Sequence, residues 1–293
     1  MRKLFAVIAL ALCVGLGSCD KDDHKDSWSV PRPVVDTLYD MYPTAADVSW
    51  FRSGRYSVAR FRTSQSGGSI QRRWAWFDAS GTGYMTETDI TLAQMPQAVR
   101  TAFAESDYAS WEYEDGDWLE RAGMVDIYVI EVEGSGNNRD TDVALYYTPD
   151  GRLVRTVFNP VGDYRYGDML PDPLPSSVSA FIQSEYPAAQ IVGSYFGQES
   201  SHVDILDEGV IRTLWFDSRN DWLRTETPVA QDELPDVVTR ALAESEYASY
   251  TVQEVRFCNT AKGDYYRLTL RSGSRSVEVD ITTDGVMTPA GSR

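Results

Sequence analysis

Two histidines, three cysteines and one tight run of carboxylates are the residues of this 293-residue chain that could do chemistry. Histidine is the usual general base near neutral pH. His24 lies in a charged N-terminal stretch and His202 opens a strand-like run. Neither accompanies a nucleophile signature such as G-x-S-x-G, so a histidine-based triad is not expected. H-E-x-x-H and the phosphate-cradling G-x-x-x-x-G-K-(S/T) are absent as well. A zinc site needs more Cys and His than Cys258, His24 and His202 supply. The run Glu112-Tyr113-Glu114-Asp115-Gly116-Asp117 offers paired acids for sugar cleavage, or oxygen ligands for calcium. It lacks the D-x-D-x-D-G spacing with a distant Glu, and reads as a charged turn. The expectation is therefore a non-enzyme with no cofactor and no metal site.

The aromatic residues are the stronger lead. Tyr and Trp supply large, rigid contact area and often anchor interfaces. Trp50, Trp74, Trp76 and Trp111 are the candidate binding residues. Strand alternation puts Trp74 and Trp76 on one face and Arg73, Ala75 and Phe77 on the other, so both faces carry aromatics and one of them is core.

The elements that must position these residues are duplicated. Ala104-Glu105-Ser106-Asp107-Tyr108-Ala109-Ser110 returns 139 residues later as Ala243-Glu244-Ser245-Glu246-Tyr247-Ala248-Ser249. Trp76-Phe77-Asp78 returns as Trp215-Phe216-Asp217 at the same offset. An internal repeat of this kind decides the architecture before propensities do. Within each half a shorter template appears twice: Pro31 with Val34 and Leu38, Pro96 with Val99 and Phe103, Pro175 with Val178 and Ile182, Pro235 with Val238 and Leu242. Proline suits the first helical turn, and the spacing that follows lines one face of a short amphipathic helix. Tyr/Trp/Val/Ile/Thr-rich runs separated by turn residues follow each helix and read as about four antiparallel strands. The expected fold class is α+β: tandem modules, each one helix packed on a four-stranded antiparallel sheet, duplicated. The expected modules are 30–92 and 93–159 in a first domain (30–159), then 174–230 and 231–293 in a second (174–293). The Pro/Gly/Asp-rich stretch 160–173 reads as the linker between them.

The N-terminus carries an address. Arg2 and Lys3 precede an apolar run, Leu4 to Val14, that is too short to span a bilayer. Leu16-Gly17-Ser18-Cys19 resembles a bacterial lipobox, which implies a signal peptide at 1–18 and lipidation of Cys19. Residues 19–29 are polar and read as a disordered tether. Lys21-Asp22-Asp23 resembles the signal that sends Bacteroidota lipoproteins to the outer face of the outer membrane, and implies surface exposure there, with a periplasm-facing anchor as the alternative. Loss of 1–18 removes Arg2 and Lys3 and leaves 25 basic against 44 acidic residues, a net charge of −19. Such a surface argues against nucleic acid, whose affinity comes largely from Lys and Arg on phosphate. With Cys13 in the signal and Cys19 lipidated, Cys258 has no disulfide partner and the fold rests on its core.

The P-x-x-V-x-x-x-(L/F/I) helix starts, the Tyr42-Pro43 and Tyr186-Pro187 helix ends, Trp-Phe-Asp, and Thr283-Asp284-Gly285 with its counterpart Thr148-Pro149-Asp150-Gly151 resemble the PepSY-like, beta-lactamase-inhibitor-protein-like periplasmic family over roughly 30–290. That resemblance implies a sheet with helices on one side and a protein-binding or inhibitory surface on the other. The expected function is a non-enzymatic envelope lipoprotein that binds an envelope or secreted protein, as an inhibitor in one version, through its β-sheet surface. The alternatives are a glycan-binding surface lipoprotein and a calcium-responsive structural envelope protein.

Overall fold

A computed structural model describes residues 29–64, 70–134, 141–160, 166–198 and 200–290. Cys19, the lipobox, the tether, His24 and the expected hairpin tip at 66–69 lie outside the described residues.

The first half runs α1 (Arg32–Met41), β1 (Ala46–Ser53), β2 (Tyr56–Ser64), β3 (Ile70–Phe77), β4 (Gly83–Asp89), α2 (Gln97–Ala104), β5 (Glu112–Arg121), β6 (Ile127–Glu133), β7 (Asp142–Tyr147) and β8 (Leu153–Phe158). The second repeats this order: α3 (Ser176–Glu185), β9 (Gln190–Phe196), β10 (Ser201–Asp207), β11 (Val210–Phe216), β12 (Trp222–Pro228), α4 (Asp236–Ala243), β13 (Thr251–Thr260), β14 (Tyr265–Ser272), β15 (Arg275–Thr282) and β16 (Met287–Pro289). Pro31, Pro96, Pro175 and Pro235 each stand immediately before the first helical residue. The apolar stripes that follow are buried at Val34 and Leu38, Val99 and Phe103, Val178 and Ile182, and Val238, while Leu242, expected on the fourth stripe, is only partly buried.

The expected four-stranded sheets are not what forms. Each half is one eight-stranded antiparallel meander, β1 to β8 and β9 to β16 in chain order. The joins are β4 to β5, from Met85↔Arg121 to Asp89↔Asp117, and β12 to β13, from Arg224↔Thr260 to Pro228↔Arg256. A four-stranded module would leave the outer N–H and C=O groups of its fourth strand unpaired, and pairing with the next module satisfies them. The acidic run 112–117, expected to be a turn, is instead the first part of β5.

Both helices of a half pack on the same side of its sheet. Val34 and Leu38 of α1 pack with Ala59, Phe61, Ala75 and Phe77. Val99 and Phe103 of α2 pack with Ile130, Val132, Val143, Leu145 and Tyr147. The cores under α3 and α4 follow the same plan. The duplicated Trp-Phe-Asp segments end on matching turns. Asp78 Oδ1 accepts the N–H groups of Ser80 and Thr82, and Asp217 Oδ1 those of Arg219 and Asp221. At the Thr-x-Asp-Gly turn, Gly151 has φ +84° and lies so close to the Ala98 carbonyl of α2 that a Cβ would collide with it.

Candidate functional site

With the helices gathered on one side, each sheet presents a second, helix-free face, and register lets the two faces be compared row by row. In the first sheet, Phe51, Val58, Trp76 and Met85 are cross-strand neighbours across β1 to β4. In the second, the equivalent row across β9 to β12 is Tyr195, His202, Trp215 and Arg224. Trp76 and Trp215 are partners in the 139-residue repeat, so the same position has diverged in its surroundings.

The first row is apolar and covered. Trp76 is 1% exposed and belongs to one buried cluster with Val58, Met85, Val129, Tyr146 and Tyr166. Tyr166 belongs to the stretch read from sequence as a linker. It is also 1% exposed, with its ring edge-on to Tyr146 at 6.2 Å and its hydroxyl donating to Asp117 Oδ2 at 2.6 Å. Met169 and Leu170 pack beside it. The connector therefore lies on the helix-free face of the first half.

Among the described residues, no segment of the connector packs in a core with the second row. Tyr195 is 57% exposed and stacks on His202, with ring centroids 5.5 Å apart. His202 meets Trp215 at 4.9 Å, and the Arg224 guanidinium lies 4.5 Å over the Trp215 ring. The Trp215 indole N–H is buried without a hydrogen-bond acceptor among the described residues. Beside this row, Glu226 is 2% exposed beneath Arg224 (2.6 Å) and Arg256 (2.9 Å). Burial pushes its carboxyl up, but the two guanidiniums outweigh that and hold it below the usual carboxylate range. Asp280 is gripped by Arg267 at 2.8 Å. Arginine stems and heads lie over these acids, so the face needs no apolar cover.

Where the halves meet, Arg121 acts as a bolt. Its guanidinium donates to the carbonyls of Val125, Val192 and Met169, one on each of three segments. Burial pushes its pKa down to about 10. The Val125 N–H donates to the Ile191 carbonyl at 2.7 Å alongside. A cleft of about 630 Å³ opens next to it, walled by Arg55 and Arg155 of the first half, Met169 and Leu170 of the connector, and Tyr195 and His202 of the second half.

The four candidate tryptophans do not share one surface. Trp74 and Trp76 lie on the helix-free face of the first sheet, Trp74 against Phe51 at 5.7 Å and under the Arg60 guanidinium at 5.4 Å. Trp50 packs on the α1 side against Phe77, and Trp111 on the α2 side against Tyr108. Of the acidic run, Asp117 is drawn inward. With Glu87 and Asp89 it forms the one carboxylate group, among the described residues, close enough to share a cation. Asp89 is already paired with Arg72 at 2.6 Å, and Asp117 with Tyr166. Cys258 is a buried free thiol that burial pushes up to about 11, which keeps it unreactive. Tyr195 and Tyr166 escaped the sequence reading, and His202 entered it only as a general base that was set aside. The available signal for Tyr166 was an aromatic residue followed by Met169-Leu170 inside an otherwise polar connector.

The family model described as beta-lactamase-inhibitor-like, PepSY-like matches residues 66–155 and again 199–288, one match per sheet and together more than half of the chain. Among solved structures, a DUF2874 family protein from Bacteroides ovatus is 28% identical, with 48% of this chain covering 99% of that one at a TM-score of 0.41. A DUF2874 family protein from Bacteroides uniformis is 30% identical (47% and 99%, TM-score 0.41), and a BLIP-like protein from Bacteroides fragilis is 29% identical (53% and 99%, TM-score 0.41). No curated protein matches the chain. Among the described residues, no helix is long and apolar enough to cross a membrane.

Proposed function

The chain belongs to the PepSY-like, beta-lactamase-inhibitor-like family, and from that premise we propose that it is a non-enzymatic envelope protein that binds a protein partner through the helix-free side of its sheets. The observation that carries this reading is the row Tyr195–His202–Trp215–Arg224. Tyr, Trp and Arg are the residue types that dominate interface energetics. Here they are stacked on rigid strands and pre-ordered, which lowers the entropy lost on binding. His202 lies between two aromatic rings, an environment suited to contact rather than proton transfer. The reading keeps a lipid anchor at Cys19 and an outer-membrane position.

The exposed Tyr195 ring also suits stacking against a sugar, so glycan binding is the second reading. One experiment separates them. A photo-crosslinking side chain is placed at position 195 in cells, with position 39 on the helix side as control, and captured proteins are identified by mass spectrometry. One dominant envelope protein at 195 and not at 39, lost on Arg224→Ala, supports protein binding. Capture at neither position, with glycan-array binding that Trp215→Ala abolishes, would replace it with the glycan reading.

A further inference from the structure

The apolar row Phe51–Val58–Trp76–Met85 would be an unusual surface to leave in water, and it is not left there. Tyr166 belongs to the same buried cluster, with its ring against Tyr146 of β7 and its hydroxyl on Asp117 of β5, and Met169 and Leu170 pack against that cluster. Yet the main chain of 166–172 belongs to neither sheet. What holds it is side-chain chemistry: the Tyr166 ring and hydroxyl, the Arg121 guanidinium on the Met169 carbonyl at 3.4 Å, and an exposed Arg55–Asp172 pair at 3.3 Å. An exposed pair of that kind contributes little. Met169, Leu170 and Asp172 also wall the open cleft, so the connector is reachable from solvent along one side. The segment is thus seated as a bound peptide would be: one aromatic anchor, a hydroxyl on a buried carboxylate at the floor, then two apolar side chains.

We propose that the helix-free face of the first half is a binding groove for a tyrosine-led segment of a partner protein, held closed in cis by the chain's own Tyr166–Leu170. This rests on the protein-binding reading and adds a second face to it, with Trp74 and Trp76 as part of the concealed groove. The partner segment carries a tyrosine whose hydroxyl takes over Asp117 and, three to four residues on, apolar side chains that replace Met169 and Leu170. Binding displaces the connector.

The test uses the full chain, wild type and Tyr166→Ala, titrated with a labelled peptide of the sequence of residues 166–173, Tyr-Gly-Asp-Met-Leu-Pro-Asp-Pro. The variant is expected to bind at least about ten-fold tighter than wild type, whose groove is filled, and to lose about ten-fold when the peptide tyrosine becomes phenylalanine. A folded variant with no saturable binding, or equal binding by both proteins, overturns the proposal. So does a variant that forms a connector-exchanged dimer which the peptide cannot compete apart. If Tyr166→Ala fails to fold, Tyr166→Phe keeps the ring and loses the hydroxyl. Chymotryptic cleavage after Met169 should then be faster than in wild type, and an unchanged rate overturns the proposal. Failure here with capture at position 195 intact removes the groove alone. Peptide binding without capture at 195 removes the second-half site alone.

Discussion

The hydroxyl of Tyr166 donates to Asp117 Oδ2 at 2.6 Å, joining the connector to a carboxylate 49 positions earlier in the chain. A hydrogen bond to a buried carboxyl contributes about 0.5–3 kcal/mol. Tyr166→Phe should cost that much. Tyr166→Ala, which also empties the ring's place beside Trp76 and Tyr146, should cost about 3–5 kcal/mol. Urea unfolding of the two variants checks the order, and equal losses would mean the hydroxyl contributes nothing.

Arg121 should matter to how the halves hold together more than to either core. Replacing it with Met leaves the Val125, Val192 and Met169 carbonyls without their shared donor. Each stranded buried acceptor costs about 1–3 kcal/mol. Lysine should rescue poorly, because a single ammonium cannot reproduce the guanidinium fork. Small-angle scattering should show a broader distribution of sizes for Arg121→Met, while near-ultraviolet circular dichroism stays close to wild type.

Acid should loosen the second half through Glu226. A carboxyl held below its ordinary value takes up its proton at lower pH in the folded chain than in the unfolded one. Its contribution is therefore full above the unfolded value, about 4.3, and disappears as the pH falls through the lower folded value. Melting temperature should drop steeply below about pH 4. Glu226→Gln should flatten that part of the profile and lower stability at pH 7 by about 3 kcal/mol, since Arg224 and Arg256 lose their buried partner. A variant profile parallel to wild type would rule out this carboxyl as the source.

Two glycines separate backbone strain from collision. Gly123 has φ +72° and open space around it, whereas Gly151 has φ +84° and the Ala98 carbonyl against it. Gly123→Ala should cost only the left-handed penalty, about 1–2 kcal/mol. Gly151→Ala should cost about 1–3 kcal/mol more, because helix α2 must move. Chemical unfolding of the pair checks the difference.

Much of this was readable in the residues. The repeat, the four proline-led helices and their buried stripes follow from local spacing, and the recurring Trp-Phe-Asp is explained by the turns that Asp78 and Asp217 close. Trp74 and Trp76 on one face also follows, since alternation is a local rule. The acidic run 112–117 misled because charge density suggested a turn, while in β5 Glu112 and Glu114 are exposed and Asp117 turns inward to Tyr166 of the connector. The connector misled in the opposite sense: proline, glycine and aspartate suggested mere spacing, yet Tyr166 is among the most buried aromatic side chains.

The sequence by itself determined the duplication, the four helices and their order among strand-like runs, and which side chains share a face, because these depend on residues within a few positions of one another. Only the tertiary structure decided that each pair of modules fuses into one eight-stranded sheet, because strand edges pair through main-chain groups that every residue carries. Tertiary structure also decided that one helix-free face is covered by 166–170, while among the described residues its duplicate carries no such cover. Phe51–Val58–Trp76–Met85 and Tyr195–His202–Trp215–Arg224 occupy equivalent rows, and what separates them among the described residues is a segment more than eighty residues along the chain from Trp76 that folds back into the buried cluster of the first.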